Sequence, residues 1–271
     1  MRTGAPDGTS ASVQAMSEAL RGHWPEYLAE AVGLGLFMIS ACVFGTLLGH
    51  PHSPVVRAVP DPVVRRVLMG LTAIALILAP WGQRSGAHLN PATTLTFWRL
   101  GKLATVDAGF YALFQFLGGL AGVLTAAAIL RDLVGDPSVQ YVATVPGEAG
   151  VAAALAAEVL ITFILMSVVL PVSNTAGLAR FTALFVGALV ATYISVEAPI
   201  SGMSMNPARS LASAIPAQAW APLWMYFVAP PSACCWLPRC TCAAAVSRAS
   251  SAPSSTTTIR SAAYFAAATP S

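Results

Sequence analysis

Long, nearly unbroken apolar blocks separated by short polar stretches dominate the chain. Residues 27–48, 64–81, 108–130, 151–172 and 181–196 each approach the roughly 20 apolar residues that a helix needs to cross a bilayer core. Only Arg65 and Arg66 interrupt the second block, at its edge. A further block opens near Ala219 (AWAPLWMYFVAPP) and fades over residues 232–237. The pattern predicts an all-α membrane protein with six spans, the last cut short by Pro238 and Arg239.

The flanks differ in character. Residues 1–24 are polar and small, without the apolar core of a cleavable signal, and read as a disordered tail. Residues 238–271 are rich in Ala, Ser and Thr and lack any acid, the composition expected of a GC-rich gene read in a shifted frame. Between them, residues 25–237 form one membrane-spanning unit. The charged fraction of the whole chain is only 9% against about 25% for a soluble domain. The net charge of +3 is not gathered into a basic cluster, so no nucleic-acid partner is expected. Cys234, Cys235, Cys240 and Cys242 lie close together, but without the two-residue spacing of zinc ligands; no metal or cofactor is expected.

The chain also repeats itself. Ser85-Gly86-Ala87-His88-Leu89-Asn90-Pro91-Ala92-Thr93-Thr94-Leu95 returns as Ser201-Gly202-Met203-Ser204-Met205-Asn206-Pro207-Ala208-Arg209-Ser210-Leu211, 116 residues later. An Ala-Glu pair precedes each copy, Ala29-Glu30 and Ala157-Glu158. The repeats cover about 25–131 and 150–237, with three spans each. An odd number of crossings makes the second repeat enter from the opposite side, so the two are inverted. The equivalent loops then approach the midplane from opposite faces, where irregular backbone survives only if buried or lining a watery cavity.

Asn-Pro-Ala has a clear local meaning. Asparagine caps a helix, proline fits the first helical position, and alanine continues without bulk. Asn90-Pro91-Ala92 and Asn206-Pro207-Ala208 therefore each start a short helix, interrupted near Gly101 and Pro216. Two half-helices meeting N-terminus to N-terminus bring partial positive charge to the pore centre and repel cations. Spare amide N–H groups of Asn90 and Asn206 can hold a passing oxygen and break a proton relay.

Two such motifs in a duplicated membrane protein resemble the aquaporin, or major intrinsic protein, family, with SGAHLNPA and SGMSMNPARS as its loop signatures. The likeness is to its bacterial, water-channel-like members and extends over about residues 27–231. It implies that Glu30 and Glu158 buttress the re-entrant loops by accepting backbone hydrogen bonds. His88 matches a histidine on the cytoplasmic side of the pore, although an ordinary loop histidine fits as well. Arg209 matches the selectivity-filter arginine, with Ile194, Met203 and either Met69 or Gly70 at the other filter positions. Such a filter is mostly apolar where water-selective members carry histidine and a small residue. Ser210, Ala214 and the Tyr226-Phe227 pair instead lean toward the water subgroup.

The resulting expectation is a passive water channel that excludes protons and ions. A channel for glycerol, ammonia or peroxide is the alternative, and a secondary transporter a weaker one. No catalytic constellation lies at membrane depth, so an enzyme is not expected. Nine of the 14 Lys and Arg residues fall on the side of the termini, which favours cytoplasmic termini in the inner, or plasma, membrane. The resemblance further implies a homotetramer with one pore per subunit.

Overall fold

The structure is a computed structural model that describes residues 8–240, with side chains for residues 12–235. Its membrane-crossing helices are α1 (Gly8–Gly49), α2 (Pro62–Leu78), α4 (Thr105–Leu130), α5 (Gly150–Asn174), α6 (Thr182–Val196) and α8 (Leu223–Cys240). Two shorter helices, α3 (Pro91–Arg99) and α7 (Pro207–Ala217), follow the repeated motifs. On length and apolarity alone α1, α4, α5 and α6 can span a membrane. The 17-residue α2 is the second span of the first repeat, equivalent to α6, and the proline-bearing α8 is the third span of the second, equivalent to α4.

Helix limits follow local chemistry. Asp61 caps α2 by accepting from the Val63 N–H at 2.8 Å, and Pro62 occupies the first turn. Pro80 ends the helix, because the residue before a proline is driven out of the helical region, and Ala79 has ψ 140°. Trp81 consequently belongs to a separate turn, Pro80–Ser85, and not to the span.

Both flanks depart from expectation. Residues 8–24 are not disordered but continue α1 toward the terminus. The span has already met the nucleation cost, and a stretch that includes Gln14, Ala15, Met16, Glu18, Ala19, Leu20 and Arg21, all good helix formers, propagates the helix cheaply. At the other end α8 runs to Cys240 through Pro230 and Pro231 and is not cut short at Pro238. A membrane helix tolerates such breaks where its neighbours enclose it, and Cys234 packs among Ala92, Phe97 and Met166. The proposed shifted-frame tail falls, from residue 241 onward, outside the described residues.

The helices approach through small residues, because lipid supplies no hydrophobic drive for their association. A Cβ on Gly118 of α4 would lie 2.1 Å from the Ala31 carbonyl oxygen of α1, and one on Gly122 would lie 2.3 Å from that of Gly35. Near the pseudo-two-fold axis, Gly70 of α2 and Gly187 of α6 face each other, each with its missing Cβ 2.6 Å from the other's carbonyl oxygen. Large apolar side chains point outward instead, among them Leu117, Leu124, Leu160 and Leu184.

These contacts set a test of the packing. Gly187→Val should destabilise the fold by about 3 kcal/mol through overpacking and lower the thermal unfolding midpoint in detergent. Gly109→Ala, at a site with nothing within 4 Å, should not.

Candidate functional site

Each repeated loop is built around a buried carboxylate. Gly86 (φ 88°), Ala87 (φ 46°) and Leu89 (φ 47°) are left-handed, and Gly202 (φ 81°), Met203 (φ 51°) and Met205 (φ 53°) reproduce the pattern. Left-handed backbone costs a non-glycine residue roughly 1–2 kcal/mol. The return is a concavity of converging N–H groups that fits an anion. Glu30 fills the first: Oε1 accepts from the His88 N–H at 3.0 Å and the Ser85 hydroxyl at 2.7 Å. Its Oε2 accepts from the Leu89 N–H at 2.6 Å and from Gln115 Nε2 at 2.7 Å. Glu158 fills the second, accepting from Ser201 Oγ at 2.6 Å and from the Ser204 and Met205 N–H groups at 2.7 Å each. Tyr111 and Tyr226 complete the symmetry by donating to the Ser85 and Ser201 carbonyls.

The loops end in the paired asparagines. Asn90 Oδ1 accepts from the Ala92 N–H at 2.8 Å, and Asn206 Oδ1 accepts from Ala208 at 3.0 Å and Arg209 at 3.2 Å. The amides cross over: Asn90 Nδ2 donates to the Met205 carbonyl and Asn206 Nδ2 to the Leu89 carbonyl, both at 2.7 Å. An amide nitrogen has two hydrogens, so one N–H of each asparagine remains beyond its crossing bond. α3 and α7, of 9 and 11 residues, span about 14 and 17 Å. Each covers about half of the hydrocarbon thickness. Their N-termini meet here, each carrying roughly half a positive charge.

A cavity of about 410 Å³ runs past this junction and is lined by both asparagines. Toward the side of the termini its wall includes His88, Phe97 and Ser173. His88 is buried, stacks on Phe97 at 4.6 Å between centroids, and lies 3.2 Å through Nδ1 from Thr94 Oγ1. Toward the far side Arg209, Ile194, Met203 and Met69 all line the cavity. Of the two candidates in α2, Met69 reaches the cavity, whereas Gly70 is consumed by the contact with Gly187. Pro91, Ala92, Pro207 and Ala208 form the first turns of the half-helices, with Ala92 and Ala208 almost wholly buried.

Several contributors escaped the sequence reading. The segment between α4 and α5 folds back over the far mouth, with Gln140, Tyr141 and Val142 at positive φ, and places Ser138, Val139 and Val142 on the wall. Thr144 from this segment lies 2.7 Å from Ser210, which in turn lies 2.6 Å from Ser204. Outside the span, Ser138 donates its hydroxyl and N–H to Asp136 and, with His50 and His52 nearby, holds that carboxyl below its ordinary range. The positive-φ run was not signalled by glycine, and no repeat marks the segment. Gln115, which braces Glu30 and also donates to Thr94 at 3.0 Å, was detectable only as a lone amide in an apolar block.

The family model for the major intrinsic proteins matches residues 17–231. The chain is 36% identical over 165 residues to Aquaporin NIP1-4 of Oryza sativa subsp. japonica, covering 60% of this chain and 58% of that one. It is 31% identical over 211 residues to Aquaporin NIP1-2 of Arabidopsis thaliana, covering 75% and 68%. The first of these matches thus takes in little more than half of its relative's length. Among solved structures, the aquaglyceroporin from Plasmodium falciparum superposes with a TM-score of 0.69 at 21% identity, covering 83% of this chain and 99% of that one. That likeness is one of fold.

The carboxylate-centred loops lead to a direct test. Glu158→Ala should leave the Ser204 and Met205 N–H groups buried without an acceptor, at about 1–3 kcal/mol each. The variant's unfolding midpoint in detergent should fall clearly, and more than that of Glu148→Ala in the loop before α5.

Proposed function

Because the chain belongs to the major intrinsic protein family, whose members are passive channels and not enzymes, we propose that it conducts water together with small neutral solutes of the glycerol class. The observation that carries this reading is the wall on the far side of the asparagine pair. There Arg209 stands with the apolar side chains of Met69, Ile194 and Met203, and Arg65 lines the same cavity from the start of α2. The Arg209 guanidinium offers donors to water or a hydroxyl and repels cations. The apolar wall neither demands a second hydrogen bond from the solute nor rejects a carbon backbone. Strict water selectivity needs polar groups all round, and three of the four side chains proposed for the constriction are apolar.

Ion and proton exclusion follow from the same parts. The facing N-termini of α3 and α7 disfavour cations. The remaining amide N–H groups of Asn90 and Asn206 orient a permeating water so that its lone pairs are engaged where the two half-helices meet. Coupled transport is disfavoured because the midplane offers two neutral amides and no ion site. The assembly we propose is a homotetramer with one pore per subunit, both termini in the cytoplasm, in the inner or plasma membrane; the chain itself is a multi-pass membrane protein.

Stopped-flow shrinkage of proteoliposomes, first under sucrose and then under glycerol, tests the reading. Rapid water efflux and glycerol entry above empty vesicles are expected. Water flow no faster than in empty vesicles overturns the channel, and saturable counterflow would indicate a transporter. Met203→Ala should raise the glycerol-to-water ratio several-fold by widening the apolar side. Arg209→Val should raise urea and proton leakage; a variant as tight as the parent to both would remove Arg209 from the constriction.

A further inference from the structure

α6 carries Ile194 on the cavity wall and ends at Val196. One residue later Glu197 turns inward, behind the wall and not on it. It is 4% exposed, and neither of its carboxylate oxygens has a hydrogen-bond partner. A buried carboxylate left without donors is expensive. Glu158, the other acid of this region, is fully engaged by the loop. Arg209 has the complementary deficit, since its Nη1 is buried and unpartnered. The two attract each other, yet among the described residues no ion pair within 4.0 Å joins them.

We propose that Glu197 is a positioning residue for Arg209 that makes the constriction respond to pH. Ionised, it draws the guanidinium back against the wall and widens the passage; protonated, it releases the guanidinium into the lumen and narrows it. The inference rests on the reading of Arg209 as part of the constriction.

The surroundings allow this titration. Burial pushes the Glu197 carboxyl up to about 7; the Ser201 hydroxyl, whose hydrogen bond goes to Glu158 Oε1 at 2.6 Å, works against that shift only as a neighbouring dipole, while Glu158 of α5 adds to it and Arg209 of α7 opposes it. Tyr226 of α8 also acts across the same space, and Tyr193 stands one turn earlier on α6 with its hydroxyl unpartnered. From α2, Arg65 lines the same cavity. Above about pH 7 the group is charged and the guanidinium is retracted; below it the group is neutral. The turn after Glu197 is held by its backbone carbonyl, which accepts from Ile200 at 2.7 Å and Ser201 at 3.3 Å. Replacing the side chain therefore leaves the turn's own bonds in place.

The experiment compares glycerol and water permeability of proteoliposomes buffered across about pH 5.5 to 8.5. In the parent the glycerol-to-water ratio should rise by about threefold toward high pH as one population replaces the other. E197Q should hold the low-pH ratio throughout, and E197D should restore a pH-dependent profile. H50Q/H52Q, which removes the other titratable pair of the far side, should keep the parent's profile. A flat parent profile, or an unchanged profile in E197Q, overturns the inference. If R209V leaves the glycerol-to-water ratio at any pH unaltered, the reading of the constriction fails instead. If R209V alters the ratio while E197Q titrates like the parent, only the role of Glu197 falls.

Discussion

Polar backbone inside a bilayer must find its partners within the protein, and the whole centre of this molecule is arranged around that requirement. The loops before α3 and α7 are irregular, yet they reach the middle of the helix assembly. Glu30 and Glu158 make this feasible by gathering the N–H groups of His88, Leu89, Ser204 and Met205. The exchange is mutual: the carboxylates could not be buried without those donors, and the loops could not be buried without the acceptors. The left-handed residues follow from it, since only that backbone turns successive N–H groups toward one point.

With the loops held, the half-helices are held as well. Their N-termini are stitched by the crossed amide bonds from Asn90 to the Met205 carbonyl and from Asn206 to the Leu89 carbonyl. Each repeat thus satisfies part of the other, and neither loop would keep its geometry alone. The glycine contacts between α1 and α4 and between α2 and α6 draw the helices close enough for a narrow cavity. Small residues set the spacing of the frame, while larger apolar ones such as Met69, Ile194 and Met203 line the cavity.

Departures from two-fold symmetry fall where discrimination among solutes is proposed. His88 and Thr94 of the first repeat correspond to Ser204 and Ser210 of the second. The first pair carries an aromatic stack, and the second a hydroxyl chain to Thr144. Thr93 of the first motif corresponds to Arg209 of the second, so one mouth of the cavity is neutral and the other cationic. Duplication supplied the frame, and these unpaired changes made its two ends different.

The sequence by itself determined the spans, the inversion of the repeats and the helix starts at Asn90 and Asn206. Those depend on composition, parity and capping, all of which are local. It also singled out Glu30 and Glu158, because an acid in an apolar block stands out wherever it occurs. Only the tertiary structure decided that Met69 and not Gly70 reaches the cavity, since which side of α2 faces inward depends on the α6 glycine packed against it. It likewise decided the extension of α1 to Gly8, the course of α8 through its prolines, and the folding of Ser138 and Val142 over the mouth. Cooperative helix growth and enclosure by neighbours override local propensity in the first two. In the last, a loop takes its shape from the surface beneath it, and no residue of the loop encodes that surface.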